Sequence, residues 1–112
     1  MIGLFHAVTN THILHLQTRS FSVHSALGDY YVQLDKLVDR FAEAYQGKYG
    51  IIHGYKAEYS LPLPSALEYL IQISDFIIKT RVDLPQDSEL QNLVDEIQSE
   101  TDSTIYKLRF LA

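Results

Sequence analysis

The chain has 112 residues, with 14 acidic and 9 basic side chains and a formal net charge of −5. This length predicts one domain, residues 1–112, whose folding buries about two-thirds of the surface of the unfolded chain. Because the sequence has no cysteine, disulfides, thiolate metal sites and cysteine nucleophiles are excluded. The acidic balance argues against a nucleic-acid partner, since phosphate binding needs concentrated Lys and Arg.

Membrane spans and export signals are further classes that the sequence argues against. The longest apolar window runs from Leu67 to Ile78, and Glu68, Gln72 and Asp75 interrupt it, so it is too short to cross a bilayer. The first residues lack the basic region of a secretory signal. Together with the missing cysteines, these features predict no membrane partner and a cytoplasmic protein.

The first predicted helix covers residues 3–18. Its apolar side chains recur at the spacing of one helical face, which indicates that this face packs into a core. His12 falls near the middle of this arc, where a lone histidine is most often a core residue with satisfied hydrogen bonds. His6 and His15, on the same helix, are either extra ligands beside His12 or exposed side chains. The residues of the arc are Leu4, Phe5, Val8, Ile13 and Leu16.

The second predicted helix covers residues 22–46 and has the clearest amphipathic pattern in the chain. Ser20 or Ser22 provides its N-cap, because a short hydroxyl side chain accepts hydrogen bonds from the amides of a first turn. Gly47 ends it, because glycine readily takes the left-handed conformation found after helix C-termini. The apolar stripe consists of Leu27, Tyr30, Leu34, Leu37, Phe41 and Tyr45.

Two further helices are predicted after a connection at residues 47–63. Ser65 and Glu68 fit a capping box that opens a third helix reaching about Thr80. Its apolar residues are distributed around almost the whole circumference of the helix, which predicts that the helix is buried on most sides. The fourth helix starts just after Pro85. Its apolar stripe consists of Leu90, Leu93, Val94, Ile97, Thr101, Ile105 and Leu108.

These elements predict an all-α fold, a four-helix bundle with a long connection between its second and third helices. The 17 residues of that connection can stretch to roughly 55 Å, whereas a 24-residue helix is only about 36 Å long. The connection can therefore cross the bundle from end to end, which is the ferritin-like topology.

A pair of carboxylates on the second helix is a candidate site. Asp39 and Glu43 are four residues apart and share a face that lies opposite the apolar stripe, so they point outward, as a solvated acidic face would. His24 lies 15 residues before Asp39, roughly 22 Å away along the helix axis, and no single metal ion can touch both within one chain. Either these residues are unrelated, or two antiparallel copies of the helix form sites shared across a two-fold dimer.

The stretch from His12 to Glu43 resembles the Dps family of mini-ferritins. Those proteins carry one histidine on the first helix, a second histidine twelve residues later, and then an aspartate and a glutamate fifteen and nineteen residues after the second histidine. His12, His24, Asp39 and Glu43 have these spacings. The resemblance is close over residues 10–46 and looser elsewhere. Other matching positions are Phe21, Ser22, Tyr31, Leu34, Val38, Ala42 and residues 105–111.

This resemblance implies an iron-binding protein that forms a homodimer or a larger homo-oligomer. In that family the ligands form a ferroxidase site between two subunits, with the histidines from one and the carboxylates from the other. The implied metal ligands are His12, His24, Asp39 and Glu43, and dioxygen or peroxide would oxidise the iron there. The chain is shorter than typical members, and Gly28 stands where many of them carry an acid.

A different function class also fits the sequence, that of a non-enzymatic interaction or assembly protein. The chain is short and acidic, as would suit a bacteriophage genome, and it is rich in tyrosine, a residue favoured at protein contacts. The tyrosines that crowd the end of the second helix and the connection either form such a contact or pack the connection onto the bundle. They are Tyr45, Tyr49, Tyr55 and Tyr59.

Overall fold

The computed structural model describes residues 3–55 and 65–112, and within these residues the only regular structure is helical. This part of the chain contains the four α-helices that the sequence predicts. A short 3-10 helix, Arg81–Asp83, follows the third of them. The α-helices are α1 (Gly3–Gln17), α2 (Phe21–Tyr49), α3 (Ala66–Thr80) and α4 (Ser88–Phe110).

Serine side chains start two of these helices, as predicted. The Ser20 hydroxyl accepts a hydrogen bond from the backbone amide of Val23 at the start of α2, and Ser65 does the same for Glu68 at the start of α3. The predicted end of α2 at Gly47 is too early. The helix continues to Tyr49 and ends at Gly50, whose φ of 97° requires the conformational freedom of glycine.

One cluster of buried residues lies between the helices, and all four contribute to it. Helix α2 packs against α1 and α4, and α3 packs against α4. Because the link between α1 and α2 is only residues 18–20, these two helices form an antiparallel hairpin. The largest side chains that are fully buried in the core are Tyr30, Phe41, Leu4, Leu27, Leu34, Leu70, Leu90 and Ile97.

The ends of the helices are joined by polar contacts that fix their directions. The Lys48 ammonium lies 2.7 Å from an oxygen of Asp87 and 2.8 Å from one of Glu89, so the end of α2 meets the start of α4. The hydrogen bonds from Lys48 lower the pKa of both carboxyl groups. Helices α2 and α4 therefore run antiparallel.

The start of α3 lies at the opposite end of the bundle from the end of α2. Ser65 and Leu67 line one cavity together with Thr18 and Val23, beside the α1–α2 link. The polypeptide between Tyr49 and Ser65 therefore begins and ends at opposite ends of the bundle. The predicted crossover itself falls largely on residues 56–64, which lie outside the described residues.

The predicted buried face of α1 is right only in part: Leu4 lies in the core and Phe5 and Val8 pack against it, but Leu16 does not. Helix α1 turns Leu4, Ala7, Asn10 and Thr11 inward, whereas Leu16 is 68% exposed. The spacing of apolar residues does not predict that Asn10 and Thr11 are buried, because both side chains are polar. They are accommodated by hydrogen bonds: the Thr11 hydroxyl donates to the carbonyl of Ala7, and the Asn10 amide donates to the hydroxyl of Tyr69.

Helix α3 is not buried on most sides, contrary to the prediction from its composition. Leu70, Ile73 and Ile77 face the core, but Phe76 and Ile78 are exposed. The reason is that α4 and, to a smaller extent, α1 contact this helix and cover only one side of it. None of the described helices is both long enough and apolar enough to cross a membrane.

A buried hydroxyl pair joins α2 to α4 and offers a test of the core. The Tyr30 hydroxyl lies 2.9 Å from the Thr101 hydroxyl, which itself donates to the carbonyl of Ile97. Because a threonine hydroxyl has one proton, Tyr30 must be the donor of this pair. Burial raises the pKa of Tyr30, so the phenol keeps this proton.

We predict that Tyr30→Phe lowers the free energy of unfolding by about 1 kcal/mol, because it leaves a buried acceptor without its donor. Urea unfolding followed by circular dichroism measures the change. Tyr106→Phe removes a hydroxyl from an exposed ring and serves as the control, with an expected change near zero. Equal effects of the two substitutions would contradict this account of the core.

Candidate metal site on the outer face of the first two helices

The four candidate ligands lie on α1 and α2, outside the core. His12 on α1 is exposed, His24 in the first turn of α2 is half-buried, and Asp39 and Glu43 are exposed. The outward direction of the two carboxylates confirms the prediction from the helical spacing. Exposure of His12 removes the alternative that it is a core residue.

A single chain does not bring these ligands together. His24 and Asp39 lie on one uninterrupted helix, so about 22 Å of helical rise separates them. Within residues 3–55 and 65–112, no group of three or more His, Asp or Glu side chains is arranged to hold a metal ion. A site built from all four residues therefore needs a second chain.

His24 is held by a hydrogen bond to the backbone of α1. Its Nδ1 lies 2.8 Å from the carbonyl oxygen of His15, a group in the last helical turn with no amide partner within its own helix. Since a carbonyl only accepts, Nδ1 carries the proton, and Nε2 of the neutral ring keeps its lone pair. This is the arrangement found in metal-binding histidines, whose other ring nitrogen is bonded to a backbone carbonyl or a carboxylate.

His15 makes the reciprocal contact. Its Nδ1 lies 2.5 Å from the carbonyl oxygen of His24, and the two imidazole rings stack with centroids 3.6 Å apart and planes inclined by 19°. The sequence predicts either an extra ligand or an exposed side chain at this position. Instead, the ring is half-buried and joins the end of α1 to the start of α2.

The space for the His15 ring exists because residue 28 is glycine. A Cβ atom at Gly28 would lie 2.9 Å from Cε1 and 3.2 Å from Nδ1 of His15, closer than side chains pack. The departure from the Dps pattern at this position therefore coincides with a ring that occupies the vacated space. The sequence does not predict this pairing, because nothing local relates positions 15 and 28.

Tyr31 completes the aromatic surroundings of the site. The His12 ring stacks on it with centroids 4.2 Å apart and planes inclined by 13°, and the His15 ring meets its edge at 5.4 Å. We call His12, His15, His24 and Tyr31 the histidine cluster. It covers the seam between α1 and α2.

The two carboxylates are not engaged by other side chains within residues 3–55 and 65–112. Among the described residues, neither Asp39 nor Glu43 forms an ion pair or a side-chain hydrogen bond. The cation next to them, Arg40, lies 3.7 Å from Glu96 on α4 instead. Both carboxylates are therefore available to a cation or to a neighbouring molecule.

Apolar side chains surround this face and are left uncovered. Leu16, Phe21 and Val32 are 68%, 76% and 42% exposed. At 100° per residue, Phe21, Val32 and Asp39 fall within about 20° of one another on α2. The outer stripe of this helix is therefore apolar towards its start, where the histidine cluster lies, and acidic towards its end.

Residues 15–108 match DUF5856, which is described as a family of unknown function. The chain belongs to this family. No curated protein and no solved structure matches the chain. The DUF5856 match includes His24, Asp39 and Glu43 but begins after His12, and it leaves the resemblance to the Dps family as a hypothesis.

The tyrosines near the end of α2 pack against their neighbours. Tyr45 lies between Phe41 and Tyr49, with ring centroids 6.3 and 5.3 Å away, and Tyr55 meets Phe5 edge to face at 5.7 Å. The Tyr55–Phe5 contact packs the start of the connection onto the bundle, but Tyr49 and Tyr55 remain 51% and 54% exposed. Both interpretations of these tyrosines therefore remain open. Tyr59, named with them in the sequence, lies outside the described residues.

We predict that the effect of Gly28→Ala on stability depends on His15. Glycine to alanine within a helix ordinarily stabilises by up to about 1 kcal/mol, but here the new methyl group would collide with the His15 ring. The substitution should therefore fail to stabilise the wild-type protein and should stabilise the His15→Ala variant. A double-mutant cycle of urea unfolding measures this coupling.

Gly47→Ala is the matched control for that cycle. It lies on the same helix with nothing within 4 Å of its added Cβ, so it should stabilise both backgrounds equally. A gain from Gly28→Ala that is the same with and without the His15 ring would show that the ring does not fill this space.

Proposed function

We propose that this DUF5856 protein is a Dps-like homo-oligomer that binds Fe(II) as a substrate at sites shared between two subunits and oxidises it there. His12 and His24 come from one subunit, and Asp39 and Glu43 come from the other. The observation that carries the proposal is the layout of α2, a single rigid helix with the half-buried His24 on the flank of its first turn and two exposed carboxylates near its other end. Within the described residues these carboxylates have no ion-pair partner.

The donor atoms fit iron. The Nδ1–H of His24 is bonded to a backbone carbonyl, so Nε2 is left for a metal ion, and neither carboxylate is used within the described part of the chain. Two imidazoles and two carboxylates suit Fe(II), and such a set leaves coordination positions open for an oxidant. Each Fe(II) loses one electron, so two Fe(II) ions and two protons reduce one hydrogen peroxide to two water molecules. With dioxygen as the oxidant, four Fe(II) ions and four protons give two water molecules.

The proposed pairing fixes where the two-fold axis crosses α2. If His24 of one subunit meets Asp39 of the other, the axis passes midway between them, near Tyr31 and Val32. Val32 then lies beside its own copy, and the exposed apolar side chains of this face become buried in a self-complementary interface. This accounts for apolar residues that the single chain leaves in water.

The ferritin-like topology is part of the same proposal. It is supported by the positions of Tyr49 and Ser65 at opposite ends of the bundle, because a connection between them has to run the length of the molecule. In that topology the α1–α2 hairpin keeps one face free for a partner subunit.

We predict that His24→Ala combined with Asp39→Ala abolishes Fe(II) binding, measured by calorimetry without oxygen, while the far-ultraviolet circular dichroism stays unchanged. His53→Ala combined with Asp75→Ala removes the same two groups from exposed positions away from this face and serves as the control. If iron binding survives in the first variant as it does in the control, the assignment of the ligands is wrong.

We predict that Val32→Cys links two chains through a disulfide on mild oxidation, seen on a non-reducing gel. The native chain has no cysteine, so the introduced thiol reacts only with its copy, and pairing requires the two Cα atoms within about 7 Å. Ile78→Cys, on the exposed side of α3, should remain uncrosslinked. A wild-type protein that is monomeric at all concentrations would overturn the proposal.

An interaction or assembly protein without metal is the second candidate function. It is favoured by the uncovered apolar side of α3 and the 3-10 helix, where Phe76, Ile78 and Val82 are 39%, 56% and 72% exposed. Metal analysis of protein purified without added iron separates the two candidates. Bound iron supports the Dps-like function, and its absence together with no affinity for Fe(II) supports the second.

A further inference from the structure

We infer that His15 is a positioning residue that holds the His24 imidazole for metal binding. The inference rests on the proposed function at one point, which is that His24 binds the metal ion. It adds a residue that the Dps resemblance does not name, and it explains the glycine at position 28.

Two contacts restrict the His24 ring, and a third holds the His15 ring against it. Its Nδ1 is bonded to the His15 carbonyl at 2.8 Å, the His15 Nδ1 is bonded back to the His24 carbonyl at 2.5 Å, and the rings stack at 3.6 Å. The first bond fixes which nitrogen keeps its lone pair, and the stack fixes the tilt of the ring. Together they aim Nε2 of His24 in one direction before any metal binds.

The stacking also shows that His15 does not bind the same ion as His24. A bond from an imidazole nitrogen to a metal lies in the plane of its ring, so two rings bound to one ion have bonds that converge on it. Rings stacked face to face with planes inclined by only 19° direct such bonds side by side. At most one of the two rings can therefore bind a given ion, and the inference takes that ring to be His24.

Gly28 is the residue that permits this support. With any side chain at position 28, the His15 ring would be displaced from the surface of α2, since even a Cβ atom would lie 2.9 Å from it. Here His15 and Gly28 act as a pair, one residue supplying the ring and the other the space.

The test compares His15→Ala, His15→Phe and Gly28→Ala with the wild type and with His24→Ala. The first measurement is made on metal-free protein, by nitrogen-15 NMR of the His24 ring at a pH where it is neutral. The second is the affinity for Fe(II) by calorimetry without oxygen. Far-ultraviolet circular dichroism and the oligomeric state are recorded for every variant.

In the wild type we expect the signals of one His24 tautomer, protonated on Nδ1. His15→Ala keeps the backbone carbonyl of residue 15 but removes the stacked ring, so the His24 ring turns away from that carbonyl more often. Its signals should therefore shift towards an average of the two tautomers, and the Fe(II) affinity should fall about tenfold, as for other residues that support a metal-bound histidine. His15→Phe keeps a ring in the stack, so it should retain most of the wild-type affinity for Fe(II). Gly28→Ala should lower the Fe(II) affinity as His15→Ala does, because the added methyl group displaces the His15 ring without removing it.

The two proposals fail in different ways. If His24→Ala leaves the Fe(II) affinity unchanged, the proposed function is wrong, and the NMR signals of His15→Ala still decide whether His15 orients the ring. If His24→Ala weakens binding but the His15 and Gly28 variants change neither the His24 signals nor the affinity, the inference is overturned while the proposed function stands. If His15→Ala is unfolded, His15→Phe and Gly28→Ala carry the test.

Discussion

The rigid length of α2 is the constraint on which the rest of the structure depends. A helix of 29 residues cannot bring residues 24 and 39 together, because each residue adds about 1.5 Å of rise. The same rigidity keeps the His24 imidazole and the Asp39 carboxylate at a fixed spacing along the helix. In a second, antiparallel copy the two groups follow each other in the opposite order, so each imidazole would lie beside a carboxylate of the other copy. A chain with no metal cluster among its described residues can in this way carry two half-sites for a dimer.

The α1–α2 hairpin is closed at this face by histidines. The paired bonds between His15 and His24 join the end of one helix to the start of the next and satisfy a carbonyl that the end of α1 leaves without an amide. The same contacts set the tautomer of His24. Folding of the hairpin and orientation of the His24 imidazole are thus served by one set of contacts, so a change at Gly28 would affect both.

Two of the surfaces that exposed apolar residues form in the described part of the bundle bear on the candidate functions. One lies around the histidine cluster and includes Phe21 and Val32, and the other lies on the outer side of α3 around Ile78. The surface around the histidine cluster is continuous with candidate metal ligands. The described part of the surface on α3 has no candidate ligand beside it. This difference is why the first surface is assigned to a two-fold partner and the second is kept for the alternative function.

Local sequence determined the four helices, the serine caps of α2 and α3, and the outward direction of Asp39 and Glu43, because spacing along one helix needs no knowledge of the neighbours. It did not determine which face of α1 is buried, since Asn10 and Thr11 enter the core through hydrogen bonds that periodicity does not register. It also could not assign the role of His15. That role depends on His24 and Gly28, which belong to another helix, and only the packing of α1 on α2 brings the three residues together.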